Sequence, residues 1–163
     1  MTDQLTAQNI KLLDNIGFLI TYSNQFKEGL LDKYLSAENI TPTQTRTLFY
    51  LYHFKHRRPC DISKALNIDN SATTRMLDRL EKKALIQRIA SPKDRRSIKI
   101  ILTKKGHKIV KRVRPLADKA MNELTQVLTK EETTQLCFYL KKIVKPMLVE
   151  HFNTIDQTLD PKE

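Results

Sequence analysis

Apolar side chains at Leu12, Ile16, Leu19, Ile20, Phe26, Leu30, Leu31 and Tyr34 recur at intervals of three and four residues. That spacing lines one face of a helix and predicts a long amphipathic helix from Ile10 to Leu35. Thr41-Pro42-Thr43-Gln44 then reads as a capping box, with Thr41 at the cap, Pro42 at the first helical position and Gln44 reaching back. The apolar run Leu48 to Phe54 carries this second helix forward, and the basic Lys55 to Arg58 with Pro59 ends it. Asp61 can cap a short third helix through Leu66, and after a turn at Asn67 to Asn70 either Asp69 or Asn70 caps a fourth, running to about Lys83.

Beyond Ala84 the period changes. Leu85 to Ala90 and Ser97 to Leu102 are short and rich in Ile, and Ser91-Pro92-Lys93-Asp94-Arg95-Arg96 between them has turn residues first and mostly cations after. This predicts a two-stranded hairpin with a basic tip, in which Asp94 shapes the turn. Thr103 can cap the next helix, whose stripe of Val110, Val113, Leu116, Ala117, Ala120, Met121, Leu124 and Leu128 is interrupted at Pro115, where a kink or a division is expected. Thr129-Lys130-Glu131-Glu132 is a second capping box, opening a last helix with Leu136, Tyr139, Leu140, Ile143, Val144, Met147 and Leu148 on its faces and Pro146 near its end. Residues 1 to 8 and 153 to 163 read as fraying tails.

The chain has 163 residues, of which 40% are hydrophobic and 29% charged, the profile of one soluble globular domain. No stretch approaches the roughly 18 uncharged apolar residues of a membrane span, and the first ten residues carry no Lys or Arg, so neither a membrane protein nor a secretory signal is expected. The expected compartment is the cytoplasm. Cys60 and Cys137 have no partners at metal-ligand spacing and read as ordinary buried thiols.

Charge changes the picture through its distribution. Residues 1 to 60 carry 7 Lys/Arg against 5 Asp/Glu, residues 61 to 115 carry 16 against 5, and residues 116 to 163 carry 6 against 8. The whole excess of +11 therefore sits in the middle third. A cationic field so localised repels itself in an isolated fold and points to a polyanion, with nucleic acid ahead of an anionic membrane.

Two short helices, a tight turn and a basic hairpin, coinciding with that block, have the order of a winged helix-turn-helix. On the fourth helix Thr73, Met76, Leu77, Leu80 and Ala84 share one side, leaving Ser71, Thr74, Arg75, Asp78 and Lys82 on the other. Short hydroxyls and an Arg on an exposed first turn suit a helix N-terminus in a major groove, because hydroxyls accept or donate and Arg forks onto guanine or phosphate. Asp78 is the misfit, to be neutralised by Lys82 or Arg75. Lys93, Arg95 and Arg96 suit a narrow minor groove. The candidate DNA-binding set is Asn70, Ser71, Thr74, Arg75, Arg79, Lys82, Lys93, Arg95, Arg96 and Lys99.

LLDKYLSAENIT at 30 to 41, TRMLDRLEKKALIQR at 74 to 88, SPKDRRS at 91 to 97 and LTKKG at 102 to 106 resemble the MarR (multiple antibiotic resistance regulator) family of bacterial transcription factors, especially its founding branch. The resemblance covers about residues 10 to 148. It implies a mainly α fold with a small two-stranded β wing, dimerised through its N- and C-terminal helices. The helices at about 10–40 and 107–152 would intertwine, and modules at about 41–106 would sit over successive major grooves of a pseudo-palindrome. The two long amphipathic helices flanking the basic module support that architecture. The resemblance further implies that Arg96 enters the minor groove and that Ser71, Thr74 and Arg75 lie at the DNA surface. It also implies a phenolic, salicylate-like effector beside Thr74 and Arg88, although Arg88 reads more readily as a phosphate-contacting or hairpin-stabilising cation. Ala84 departs from the family's usual Gly after the recognition helix, so a slightly different turn is expected there.

Other functions fare worse. Asp61, Asp69, Asp78 and Asp94 are scattered as caps, turns and salt-bridge partners, which argues against an enzyme. His53 and His56 form a lone His-x-x-His without acidic or thiol partners, so no metal is expected. No aromatic interleaves with the cations between 61 and 115, so a base-stacking RNA platform is missing. The reading that emerges is a dimeric repressor relieved by a small aromatic anion or a similar signal. The alternative is an architectural or anti-silencing DNA-binding protein without an inducer.

Overall fold

In a computed structural model the chain is described over residues 12–55, 57–90 and 98–156, without the side chains of 147, 148 and 150–156. Helix α1 (Ile16–Leu35) starts at Asn15, whose side-chain oxygen accepts the Phe18 N–H at 2.9 Å. The continuous helix expected from Ile10 is therefore broken at Asp14 and Asn15, because an extended Asn satisfies the orphan donors of a new helix better than it continues an old one. A single 3-10 turn (Ser36–Glu38) and a left-handed Asn39 lead into α2 (Pro42–His53). Its capping box forms as expected, with Thr41 and Gln44 exchanging bonds.

Helix α3 (Pro59–Leu66) opens two residues before the expected Asp61. Pro59 takes the first helical position, where its missing N–H is no loss, and Asp61 sits inside the first turn, accepting from the Arg58 N–H at 3.1 Å and from its guanidinium. Helix α4 (Asn70–Lys82) is capped by Asp69, which leaves Asn70 as its first helical residue. Strands β1 (Ile86–Ala90) and β2 (Ile98–Leu102) pair antiparallel, from Ile86 with Leu102 to Ala90 with Ile98. Arg57 adds a one-residue bridge to Ile100 on the far side of β2.

Thr103 caps α5 (Lys104–Thr125), and Pro115 lies inside this helix without dividing it. Thr129 and Glu132 exchange capping bonds at the start of α6 (Lys130–Asp156). Pro146 lies ten residues short of the end of α6, so the helix overruns both the expected stop and the start of the expected tail.

Two cores result. Leu48, Leu51, Ile62, Leu77, Leu80, Leu85, Ile86, Ile100 and Val110 join α2, α3, α4, the hairpin and the start of α5. Leu30, Leu31 and Leu35 of α1 pack on Val113 and Ala120 of α5. Among the described residues neither core includes a side chain of α6. Ile16, Ile20, Tyr22 and Phe26 of α1 and Phe138, Tyr139 and Ile143 of α6 are each at least half exposed in the single chain. Cys60 and Cys137 are both exposed rather than buried. Cys60 lies in the first turn of α3, and Cys137 is carried by the uncovered surface of α6.

Candidate nucleic-acid interface

The turn between α3 and α4 is built by three local devices. Asn67 adopts φ 51°, the left-handed conformation that ends a helix. Ser63 donates its hydroxyl to the Ile68 carbonyl at 2.7 Å, and the Ile68 N–H returns to the Ser63 carbonyl at 3.1 Å. Asp69 then accepts from the Ser71 hydroxyl at 2.6 Å and from the Ala72 N–H at 2.8 Å. Those two bonds, the hydroxyl's first, hold the Asp69 carboxyl below its ordinary value.

Helix α4 divides as its sequence demands except at Ala84, which lies beyond the helix end and is exposed. Thr73, Met76, Leu77 and Leu80 are buried, while Ser71, Thr74, Arg75, Arg79 and Lys82 are exposed. Ser71, Arg75 and Asp69 form one chain, because Arg75 Nη2 reaches the Ser71 hydroxyl at 3.4 Å. Thr74, exposed, donates its hydroxyl to the Asn70 carbonyl at 2.9 Å. The first turn thus presents two hydroxyls and a guanidinium side by side, and Arg79 and Lys82 continue the cationic stripe.

The misfit Asp78 is neutralised by neither Lys82 nor Arg75. Its partner is Arg88 on β1, whose Nη2 donates to Asp78 Oδ1 at 2.6 Å while Nη1 donates to Glu81. Helical spacing could not reveal this pair, since it joins a helix to a strand. Thr74 and Arg88, the expected effector pair, are engaged separately, and no described bond joins them. Lys99 lies on β2 opposite Ile89 and is half-buried. Lys93, Arg95 and Arg96, together with Asp94, lie outside the described residues.

The hairpin is seated on α5. Thr103 donates its hydroxyl to the Ala84 carbonyl at 2.7 Å and its N–H to the Leu85 carbonyl at 3.0 Å, and Lys105 Nζ reaches the Lys83 carbonyl at 2.9 Å. Ala84 adopts φ 56°, so the turn keeps the left-handed geometry that Gly favours instead of departing from it. The Leu85 N–H bonds the Leu80 carbonyl at 3.0 Å and the Ala84 N–H bonds Glu81 at 2.7 Å, the double bond of a Schellman motif. Lys83 also ties the end of α4 to the turn after α1 through the Asn39 carbonyl and to the start of α2 through Gln44 Oε1.

Three residues escaped sequence reasoning. Glu81, Arg57 and Lys83 act through long-range contacts that no periodicity encodes, although an Arg-rich stretch beside Pro59 was visible. Arg57 is 4% exposed, and its guanidinium lies 5.5 Å from the Phe54 ring centroid. Among the described residues no three His, Cys, Asp or Glu side chains converge as a metal site, and no helix is long and apolar enough to cross a membrane.

A capped helix projecting hydroxyls and cations, packed on a preceding helix and flanked by a two-stranded hairpin, defines a winged helix-turn-helix protein. The MarR family model matches residues 40–98. The multiple antibiotic resistance protein MarR of Escherichia coli strain K12 is 36% identical over 130 residues, 79% of this chain and 90% of that protein. Its namesake from Salmonella typhimurium is 40% identical over 131 residues, again 79% and 90%. A crystal structure of mutant MarR from E. coli complexed with operator DNA is similar, with a TM-score of 0.73 and 36% identity over 79% of this chain and 93% of that one. The chain belongs to the MarR family.

Proposed function

We propose that this chain is a homodimeric transcriptional regulator that reads double-stranded DNA at a pseudo-palindromic operator. The observation that carries the reading is the outward face of α4, where Ser71, Thr74, Arg75, Arg79 and Lys82 stand exposed above a fully packed inner face. Asn70 opens that helix, and Lys99 with the sequence positions Lys93, Arg95 and Arg96 supplies wing cations. The relative complexed with operator DNA supports the same use of the same fold.

Dimerisation rests on uncovered apolar surface. Each Ile or Phe side chain removed from water contributes about 1.5–3 kcal/mol, and α1 and α6 leave five such side chains exposed, Ile16, Ile20, Phe26, Phe138 and Ile143, with Tyr22 and Tyr139 beside them. A second copy covers them, so that residues about 10–40 and 107–152 hold the dimer and about 41–106 form the DNA-binding module of one domain over 1–163. The protein acts in the cytoplasm as a repressor released by a small aromatic anion, with Thr74 and Arg88 as the ligand residues. Such a ligand must prefer the DNA-incompetent arrangement of the two modules, because equal affinity for both shifts nothing.

Selection of duplexes from a random-sequence library by the full-length protein, followed by footprinting on the recovered sites, tests this. A short protected palindrome with two half-sites is expected. Protection spread over long tracts with little sequence preference would instead favour an architectural DNA-binding protein.

A further inference from the structure

Arg88 stands on the outer edge of β1 and is tied to α4 by backbone and side chain together. Its Nη2 donates to Asp78 at 2.6 Å, its Nη1 donates to Glu81, and its N–H donates to Glu81 Oε1 at 3.2 Å. Asp78 and Glu81 are three residues apart, hence neighbours on the helix surface, and together they bracket the guanidinium fork. On the other edge of the hairpin Arg57 and Ile100 exchange two backbone bonds, and Ile100 is the cross-strand partner of Arg88. One row therefore runs from α4 through β1 and β2 to Arg57, and it holds the hairpin from both sides.

The charges in this row oppose DNA binding taken alone. Two carboxylates beside a phosphate-facing surface repel the duplex, and pairing leaves Arg88 less able to attract it. The side chains of Arg88, Asp78 and Glu81 are 27%, 48% and 38% exposed, so screening leaves each pair little value for stability alone. What the arrangement does supply is direction, since a fork held by two carboxylates and a backbone bond has one orientation relative to α4.

The geometry points to Asp78, Glu81 and Arg88 as a positioning latch that fixes the angle between the recognition helix and the wing, so that both reach their grooves at once. This inference rests on the DNA-binding reading above and requires none of the three residues to touch DNA. It converts an electrostatic cost into specificity, because only a duplex that matches both elements in register gains both sets of contacts.

The test is Asp78→Asn/Glu81→Gln in the full-length chain, titrated against the best duplex that the unaltered protein selects and against a scrambled duplex. Electrostatics alone requires tighter binding to both, since two negative charges leave each subunit. The latch requires selected-duplex affinity to fall by about tenfold or more, roughly the effect of one mismatched base pair. Scrambled-duplex affinity should stay level or rise, and the slope of log K against log salt should become shallower as fewer phosphates are engaged together. Arg88→Lys, which keeps the charge and loses the fork, should reproduce the loss on the selected duplex. If the double variant melts below the assay temperature, Glu81→Gln alone carries the same criterion, with a loss of about threefold expected. Selected-duplex affinity at or above that of the unaltered protein overturns the latch and leaves the DNA-binding reading standing. Failure of the unaltered protein to select any duplex removes that reading itself.

Discussion

Gly106 packs directly on the carbonyl of Leu85, so closely that a β-carbon at position 106 would overlap the carbonyl oxygen. Leu85 links α4 to β1 and Gly106 lies in the first turn of α5, so this contact seats the base of the wing on α5. The opposing atom is backbone and cannot swing aside. Gly106→Ala should therefore destabilise the fold by about 2–3 kcal/mol, read as a lower denaturation midpoint at unchanged slope. Gly29→Ala is the contrast, because an added β-carbon on that exposed helical position meets nothing within 4 Å. It should stabilise by about 0.5–1 kcal/mol.

Ala84 occupies the left-handed position of the Schellman motif at φ 56°. That conformation costs an L-residue roughly 1–2 kcal/mol, part of which Gly returns through greater freedom of the unfolded chain. Ala84→Gly is expected to raise stability by about 0.5–1 kcal/mol in chemical denaturation. An equal or lower midpoint would show that the Ala84 methyl packs well enough to offset the strain.

Acid should weaken the helix-turn-helix. At Asp61 burial works to raise the carboxyl, but the side-chain and backbone bonds from Arg58 outweigh it and hold the group below its ordinary value. Asp69 is lowered as well, by the Ser71 hydroxyl and the Ala72 N–H. A depressed folded-state value contributes stability that is complete above the unfolded aspartate value, about 4, and is lost as pH falls through the lower folded value. Thermal unfolding between pH 6 and pH 2 should show melting temperature falling most steeply below about pH 4. Asp61→Asn should flatten that fall while lowering stability at neutral pH.

Elements with strong local signals were legible in the sequence. The capping boxes at Thr41 and Thr129, the amphipathic α4 and the Ile-rich strands all stand where pattern placed them, because caps and periodicity act within one turn. Boundaries failed where a polar residue had two possible uses. Asn15 caps a new helix instead of continuing an old one, and Asp61 caps from inside the first turn because Pro59 claims the start. At Pro115 the helix continues instead of dividing, and at Pro146 it runs on past the expected stop, since a long helix loses one bond there and packing or length sustains the rest. Of the candidate interface, the α4 face was readable and the partner of Asp78 was not, because Arg88 reaches it from another element. The exposure of Cys137 likewise depends on α6 standing away from both cores, which no local pattern states.

Arg75 is held over the first turn of α4 by the Ser71 hydroxyl. Arg75→Ala should lower affinity for the selected duplex by about tenfold or more and relax preference at one base position, as expected for a lost guanidinium contact to a base edge. Repeating the library selection with the variant would detect the relaxed position. A uniform loss across sequences, with the salt slope reduced by about one, would assign Arg75 to phosphate instead.

The most direct measurement is the mass of the protein at micromolar concentration, alone and with a selected duplex, by sedimentation velocity across a salt series. A particle of twice the 19.0 kDa chain mass is expected throughout. At low salt it should carry one duplex per two chains, and it should release that duplex but stay paired as salt rises. A single-chain particle that leaves the duplex unbound at low salt would contradict the account.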